Sequence, residues 1–312
     1  MNSYLGIDTS NYTTSAAIIF ENGSLKHVKK LLPVKPGALG LRQNEAVFHH
    51  VNRLPEIIEE LLRDEKLSMK AIGVSSKPRD EENSYMPCFT VGVSQAKILS
   101  SFLKVPYYEF SHQSGHIMAA IYSAKRFDLL NNKFLAFHVS GGTTEAVLVA
   151  PDAGKIISTK IVGETLDLTA GQLIDRVGLM LGLNFPAGAE LEKLALNYNE
   201  KLAIKPCVKG TDCCLSGVQN ICEKMRENGE EKNKIAKVCI EYVCDTLDKM
   251  CENLRLKYGN MPVLFSGGVM ANSIMREKLS LKYKAIFAQA EFSSDNAAGI
   301  AVLTKMRLEN NG

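Results

Sequence analysis

His112 and His116 stand four residues apart, so on a helix their imidazoles face the same way and can share one cation. A carboxylate from elsewhere would complete the set. Asp295, in the turn Ser293-Ser294-Asp295-Asn296-Ala297-Ala298-Gly299, is the candidate third ligand. The competing reading makes Asp295 a helix cap and the histidines polar surface. Zinc-peptidase chemistry is excluded. It needs a glutamate beside the first histidine as general base, and Gln113 stands there.

A second chemistry is suggested by Ser140-Gly141-Gly142 and Ser266-Gly267-Gly268, each at the end of an apolar run. Glycine lets a ligand approach the backbone, and turn amides or a following helix N-terminus favour an anion. The two turns point to one nucleotide held from two sides. Asn272 opens the next helix, as a cap or as a ligand contact. Asp167, Gly171 and Asp175 are spaced by four, which puts two carboxylates on one side of a helix within reach of ribose hydroxyls. Alternatively, Asp167 caps that helix and Asp175 pairs with a surface cation. Pro186-Ala187-Gly188-Ala189 is a small-residue turn against which a ligand ring can lie.

These residues need elements to hold them, and the chain supplies a repeat. Residues 4–20 (YLGIDTSNYTTSAAIIF) and 134–150 (FLAFHVSGGTTEAVLVA) align without a gap at an offset of 130. Leu, Ser, Thr, Thr and Ala coincide at 5/135, 10/140, 13/143, 14/144 and 16/146. Each copy reads as strand, polar turn, strand. Two homologous lobes are expected, 1–130 and 131–312, with no linker between them. Asn22-Gly23 predicts a hairpin. Apolar spacing predicts a helix over 45–63 with a kink or break near Leu54, before Pro55. Further helices are expected over 94–103, 112–124, 168–181, 187–196, 215–226, 232–257, 272–279 and 295–308.

At 312 residues, 46% hydrophobic and 23% charged, the chain can bury a large core without staples. The net charge of +3, with no dense basic stripe, permits an RNA partner without requiring one. No apolar run approaches the roughly 20 residues of a membrane span, and no signal segment opens the chain, so a cytoplasmic location is expected. The eight cysteines are then reduced thiols. Cys207, Cys213, Cys214 and Cys222 lack paired C-x-x-C spacing and are read as idle rather than as a zinc site.

In order and type, these motifs resemble the Kae1/glycoprotease family, catalytic subunits of tRNA threonylcarbamoyladenosine synthase. The resemblance rests on Leu5-Gly6-Ile7-Asp8-Thr9-Ser10, His112-x-x-x-His116, Val139-Ser140-Gly141-Gly142-Thr143-Thr144, Gly163-Glu164-Thr165-Leu166-Asp167, Ser266-Gly267-Gly268-Val269-x-Ala271-Asn272 and Asp295-Asn296. It implies an α/β chain of the actin/Hsp70/sugar-kinase fold, two ribonuclease-H-like lobes around a nucleotide cleft. It implies a divalent metal, iron or zinc, on His112, His116 and Asp295, and magnesium where ATP is bound. Asp8 and Ser10 become the catalytic candidates. Nucleotide or adenylate contacts fall on His138, Val139, Ser140, Gly141, Gly142, Asp175, Gly188, Gly267, Gly268 and Asn272. The implied reaction moves a threonylcarbamoyl group from its adenylate to N6 of adenine 37 in tRNA, with accessory subunits as further partners.

Departures mark a divergent paralogue. Asn11-Tyr12-Thr13 replaces an acidic pair, and Lys77–Asn83 replaces a glycine-rich loop. Thr143 stands for a histidine, Leu168 for an acid and Gln172 for a glutamate, and Cys214–Asn220 has lost a lysine. Two rival readings follow: a non-catalytic nucleotide-binding scaffold for another subunit, and carbamoyl transfer to a different acceptor.

Overall fold

The repeated phrase is built of near-continuous apolar runs, which suits strands covered on both faces of a sheet. The computed structural model describes residues 1–10, 12–33, 41–63, 67–200, 202, 204–292 and 297–310. They fall into two compact units. In the first, β1 (Asn2–Ser10), β2 (Thr13–Phe20) and β3 (Leu25–Leu31) form an antiparallel meander, turned at Gly23 with φ +84°. Helix α1 (Gln43–Leu62) leads to β4 (Ser68–Lys77), α2 (Phe89–Leu103) to β5 (Tyr107–Ser111), and α3 (His112–Ala124) follows. The sheet order is β3-β2-β1-β4-β5, with β4 and β5 parallel to β1.

The second unit repeats this plan. Its strands are β6 (Phe134–Val139), β7 (Thr144–Asp152), β8 (Ile156–Glu164), β11 (Val263–Ser266) and β12 (Ile286–Phe287), in the order β8-β7-β6-β11-β12. The hairpin register is preserved at the sequence offset: Gly6 pairs with Ala17, and Ala136 with Val147. Leu5 pairs in parallel with Ile72 as Leu135 does with Val263. Between β8 and β11 lie α4 (Ala170–Met180), α5 (Gly188–Leu196), a short hairpin of β9 (Cys207–Lys209) and β10 (Asp212–Cys214), α6 (Ser216–Glu227) and α7 (Lys232–Tyr258). After β11 come α8 (Ser273–Tyr283) and, beyond β12, α9 (Ala297–Glu309). Helix α7 is the spine of this core, burying Ile235, Cys239, Val243, Leu247, Met250 and Leu254.

Two expectations are corrected. Helix α1 runs unbroken through Pro55. Leu54, Ile57 and Leu61 are buried on both sides of the proline, and burying each such side chain is worth about 1.5–3 kcal/mol, which offsets the lost helical bond. The boundary at residue 130 does not divide the units, because residues 150–159 and 291–312 belong with the first. Small residues explain the placement of α9. Leu5 and Ile7 pack with Leu54, Ile57 and Val91 of α1 and α2, while Gly6 points the other way. A Cβ at Gly6 would lie 2.4 Å from both Ala297 O and Ala301 N, so α9 lies directly on the backbone of β1.

Candidate functional site

In the first unit the chemistry collects where β1 ends beside β4 and where α3 starts. Ser111 caps α3 by accepting the Ser114 amide, which sets His112 in the first helical position. The Asp8 carboxylate is fully buried. It accepts a hydrogen bond from the Ser75 hydroxyl, and its Oδ1 lies 3.1 Å from His112 Nδ1. Burial alone would raise this carboxyl. The His112 charge and the hydrogen bonds from His112, Ser75 and Ser10 outweigh it and hold the group below its ordinary value. His116 comes next on the same helix, its ring centroid 4.7 Å from that of His112, and Phe89 packs edge-to-face with His112 at 5.8 Å. Asp295 and Asn11 lie outside the described residues. Among the described residues, no group of three or more His, Cys, Asp or Glu side chains is arranged to hold a metal.

Sequence reasoning missed two parts of this cluster, Ser75 and His50. Buried His50 of α1 bonds Thr14 Oγ1 through Nδ1 at 2.8 Å and so anchors the start of β2. Thr14 matches Thr144 in the repeat. Thr144 Oγ1 does the same work in the second unit, accepting the Ala170 amide at the start of α4.

The second unit contains a cavity of about 500 Å³. Gly141, Asp175, Gly188, Gly268 and Asn272, all named as candidate ligand contacts from the sequence, line it. The other expected residues frame it instead. His138 Nδ1 meets Ser266 Oγ at 3.1 Å, tying β6 to β11. Val139 is buried. Gly267, at φ +98°, leaves no space for a Cβ, which would lie 2.2 Å from Val139 O. The Ser140 hydroxyl accepts the amides of Gly142 and Thr143, shaping the turn. Gly171 presses α4 onto that turn, since a Cβ there would lie 2.6 Å from Gly141 Cα.

Three helices begin at this cavity. Gly171 sits in the first turn of α4, Gly188 opens α5, and Asn272 caps α8 by accepting the Met275 amide at 3.1 Å. Helix N-termini carry partial positive charge and spare amides, so the arrangement suits a phosphate or carboxylate. Asp175 Oδ1 accepts the Ala187 amide at 2.9 Å, holding the Pro186–Gly188 turn against the cavity. Gln172 forms a capping box with Thr169, which gives this departure a structural use. Phe185, exposed at 71%, also lines the cavity, together with Glu192 and Ile240. Phe185 and Glu192 flank the small-residue turn in sequence, but no periodicity marked them.

Asp167 does not share the α4 face with Asp175. It precedes the Thr169 cap and binds across to α6, accepting Leu215 N at 2.7 Å, Ser216 N at 3.1 Å and Ser216 Oγ at 2.6 Å. Partial burial raises its pKa, but these bonds and the Leu168 amide outweigh that and lower it. The stabilisation is therefore complete above the ordinary carboxylate pKa and is lost as pH falls through the lowered one. Asp167→Asn is expected to cost about 1 kcal/mol at neutral pH, as for a lost cap. In urea titrations its deficit against the unchanged chain should close in acid. A deficit equal at both pH values would contradict this account.

A family model described as TsaD, tRNA N6-adenosine threonylcarbamoyltransferase, matches residues 35–302. A tRNA N6-adenosine threonylcarbamoyltransferase of Methanopyrus kandleri is 26% identical over 302 residues, covering 95% of this chain and 85% of that protein. Among solved structures, full-length HypF in the phosphate- and nucleotide-bound form matches with a TM-score of 0.61 at 14% identity, over 100% of this chain and 47% of that one. The ROK hexokinase of Thermus thermophilus matches at 0.53 and 15% identity, over 99% and 100%. With the doubled sheet, these likenesses give the actin/Hsp70/sugar-kinase fold, and no described helix is long and apolar enough to cross a membrane. The family match extends through both turns of the second unit and the histidine pair of the first, so this chain belongs to the TsaD family of tRNA N6-adenosine threonylcarbamoyltransferases, which are transferases and not peptidases.

Proposed function

We propose that the chain transfers a threonylcarbamoyl group from threonylcarbamoyl-adenylate to N6 of adenine 37 in tRNA. The observation that carries this reading is the second-unit cavity, where three helix N-termini and two glycine turns converge. The helix starts and the Gly141 and Gly268 backbones receive the phosphate of the adenylate or of ATP. Phe185 offers the base an apolar face, and Asp175 holds the turn that borders it.

The donor is a mixed anhydride and already activated. The N6 amine attacks the carbamoyl carbon, the new C–N bond forms, and the C–O bond to phosphate breaks to release AMP. The amine surrenders one proton. The protein's part is to place amine and carbonyl together and to favour the developing oxyanion. The donors present in the first unit fit a divalent ion, iron or zinc. Two imidazoles adjoin, and the Asp8 contact at Nδ1 of His112 would orient that ring as a ligand. Asp295 is assigned as the third ligand. Such an ion would supply Lewis-acid polarisation to a carbonyl bound to it. Asp8 and Ser10, 0% and 8% exposed, act as positioning residues: Asp8 holds His112 and Ser10 bonds Asp8.

Purified protein supplied with the adenylate and unmodified tRNA should yield threonylcarbamoyladenosine, read by mass spectrometry of nucleosides. Accessory subunits are the next addition if turnover is slow. The loss of the acidic pair at Asn11-Tyr12 favours one rival, a nucleotide-binding scaffold. Nucleotide binding without product, accessory subunits included, would establish that rival. A Cβ at Gly268 meets nothing within 4 Å, so a side chain there starts into open space and extends into the cavity. Gly268→Leu is therefore expected to weaken adenine-nucleotide binding more than about tenfold, roughly 1.4 kcal/mol, with the melting temperature unchanged. Calorimetric binding at full strength would remove the ligand from this cavity.

A further inference from the structure

We propose that Cys207 and Cys214 form a reversible thiol–disulfide site that takes small-molecule disulfides as its oxidant. Most of the chain's cysteines are buried: Cys88, Cys213, Cys222, Cys239, Cys244 and Cys251. Burial pushes Cys213, Cys222 and Cys244 up to about 12, so these thiols are inert. Cys207 is exposed and Cys214 half-buried. They are directly opposed in the antiparallel β9–β10 ladder, the third pair above the Gly210-Thr211 turn. Opposed residues share a face. Such pairs bring Cα atoms to about 4.5–5.5 Å, inside the span a disulfide bridges. Burial, followed by the charges of Asp167 and Cys207, pushes the Cys214 thiol above its ordinary value, so Cys207 is the thiol that attacks first.

A second contact fixes the pair. The Tyr242 hydroxyl of α7 accepts the Cys207 amide at 3.1 Å and donates to Cys214 O at 3.2 Å. One side chain of the core helix thus holds both cysteine backbones. On the far side, Cys213 O accepts the Leu166 amide at 2.8 Å and Asp212 Oδ1 the Glu164 amide at 2.9 Å. The hairpin is therefore anchored on both sides, which keeps the two cysteines opposed.

The chemistry is two exchanges. The Cys207 thiolate attacks one sulfur of a small disulfide such as oxidised glutathione and displaces a thiolate. The Cys214 thiolate then attacks Cys207 Sγ and displaces the second. The protein loses two hydrogens as its thiols are oxidised. The small disulfide is reduced to two thiols, which take up the two protons.

The test uses the folded full-length chain. It is incubated with oxidised glutathione, its remaining thiols are alkylated, and it is digested with trypsin. Cleavage after Lys209 separates Cys207 from the peptide Gly210–Lys224, which carries Cys213, Cys214 and Cys222. The expected result is these two peptides joined, at their summed mass less two hydrogens, and released by reductant. Cys213→Ser should keep the link. Cys214→Ser should abolish it and leave Cys207 as a stable glutathione adduct. The proposal is overturned if the unchanged chain keeps that adduct, if every thiol is alkylated, or if the link survives Cys214→Ser.

Discussion

Replacing His112 and His116 together by alanine is expected to leave a folded protein that no longer takes up the proposed divalent ion. Both histidines are only partly buried near the start of α3, and alanine is the most favourable helix residue, so the fold should tolerate the change. The Asp8 carboxylate keeps Ser75 and Ser10 as partners. Metal content should fall from one ion per chain to none, measured by elemental analysis of the purified protein. Product formation should fall about a hundredfold or more, since Lewis-acid polarisation is worth several kcal/mol. Asp8→Asn separates holding the ion from orienting its ligand. It keeps the donors but weakens the bond that fixes His112, and should lower metal affinity about 10–100-fold while leaving the stoichiometry at saturation intact. Unchanged metal content in the double alanine variant would remove the metal from this helix.

What the sequence made legible was local or repeated. The gap-free repeat of strand, polar turn and strand at an offset of 130 predicted two like hairpins, and their registers agree at that offset. The helix expected over 112–124 is α3, residue for residue. What stayed hidden depended on long-range contacts. Asp8 meets Ser75 and His112 from 67 and 104 residues away, and no spacing rule reaches that far. The four-residue spacing of Asp167 and Asp175 suggested one helix face, but the helix starts only after Thr169, and Asp167 turns to α6 instead. Strands of three residues, such as β9 and β10, are too short to show a period. Pro55 misled in the other direction, because a local penalty was outweighed by burial on both sides of it. The composition of α9 showed small residues but not what they pack against, so its membership in the first unit was not foreseen.

Gly299→Val should be among the most damaging single substitutions outside the proposed ligand sites. A Cβ at residue 299 would lie 1.9 Å from Gly115 O and 2.7 Å from Ala119 N. Both are backbone atoms of α3, so no rotamer change relieves the overlap and the two helices must separate. Overpacking a core usually costs about 1–3 kcal/mol, and a rigid obstacle puts this case at or above the upper end. For a chain of this size about 3 kcal/mol lowers the melting temperature by roughly 5 °C. Gly217→Ala is the control. It also lies in a helix but meets nothing within 4 Å, and it should gain up to about 1 kcal/mol from helix propensity. A Gly299→Val melting point within about two degrees of the unchanged chain would refute the packing argument. The milder Gly299→Ala tests what the contact is for. Helix α3 carries His112 and His116, and α9 begins two residues after Asp295 in the chain. If those three side chains hold one ion, forcing α9 away from α3 must weaken metal binding in the fraction that stays folded. If Asp295 is not a ligand, the melting temperature should drop while metal affinity in the folded fraction holds.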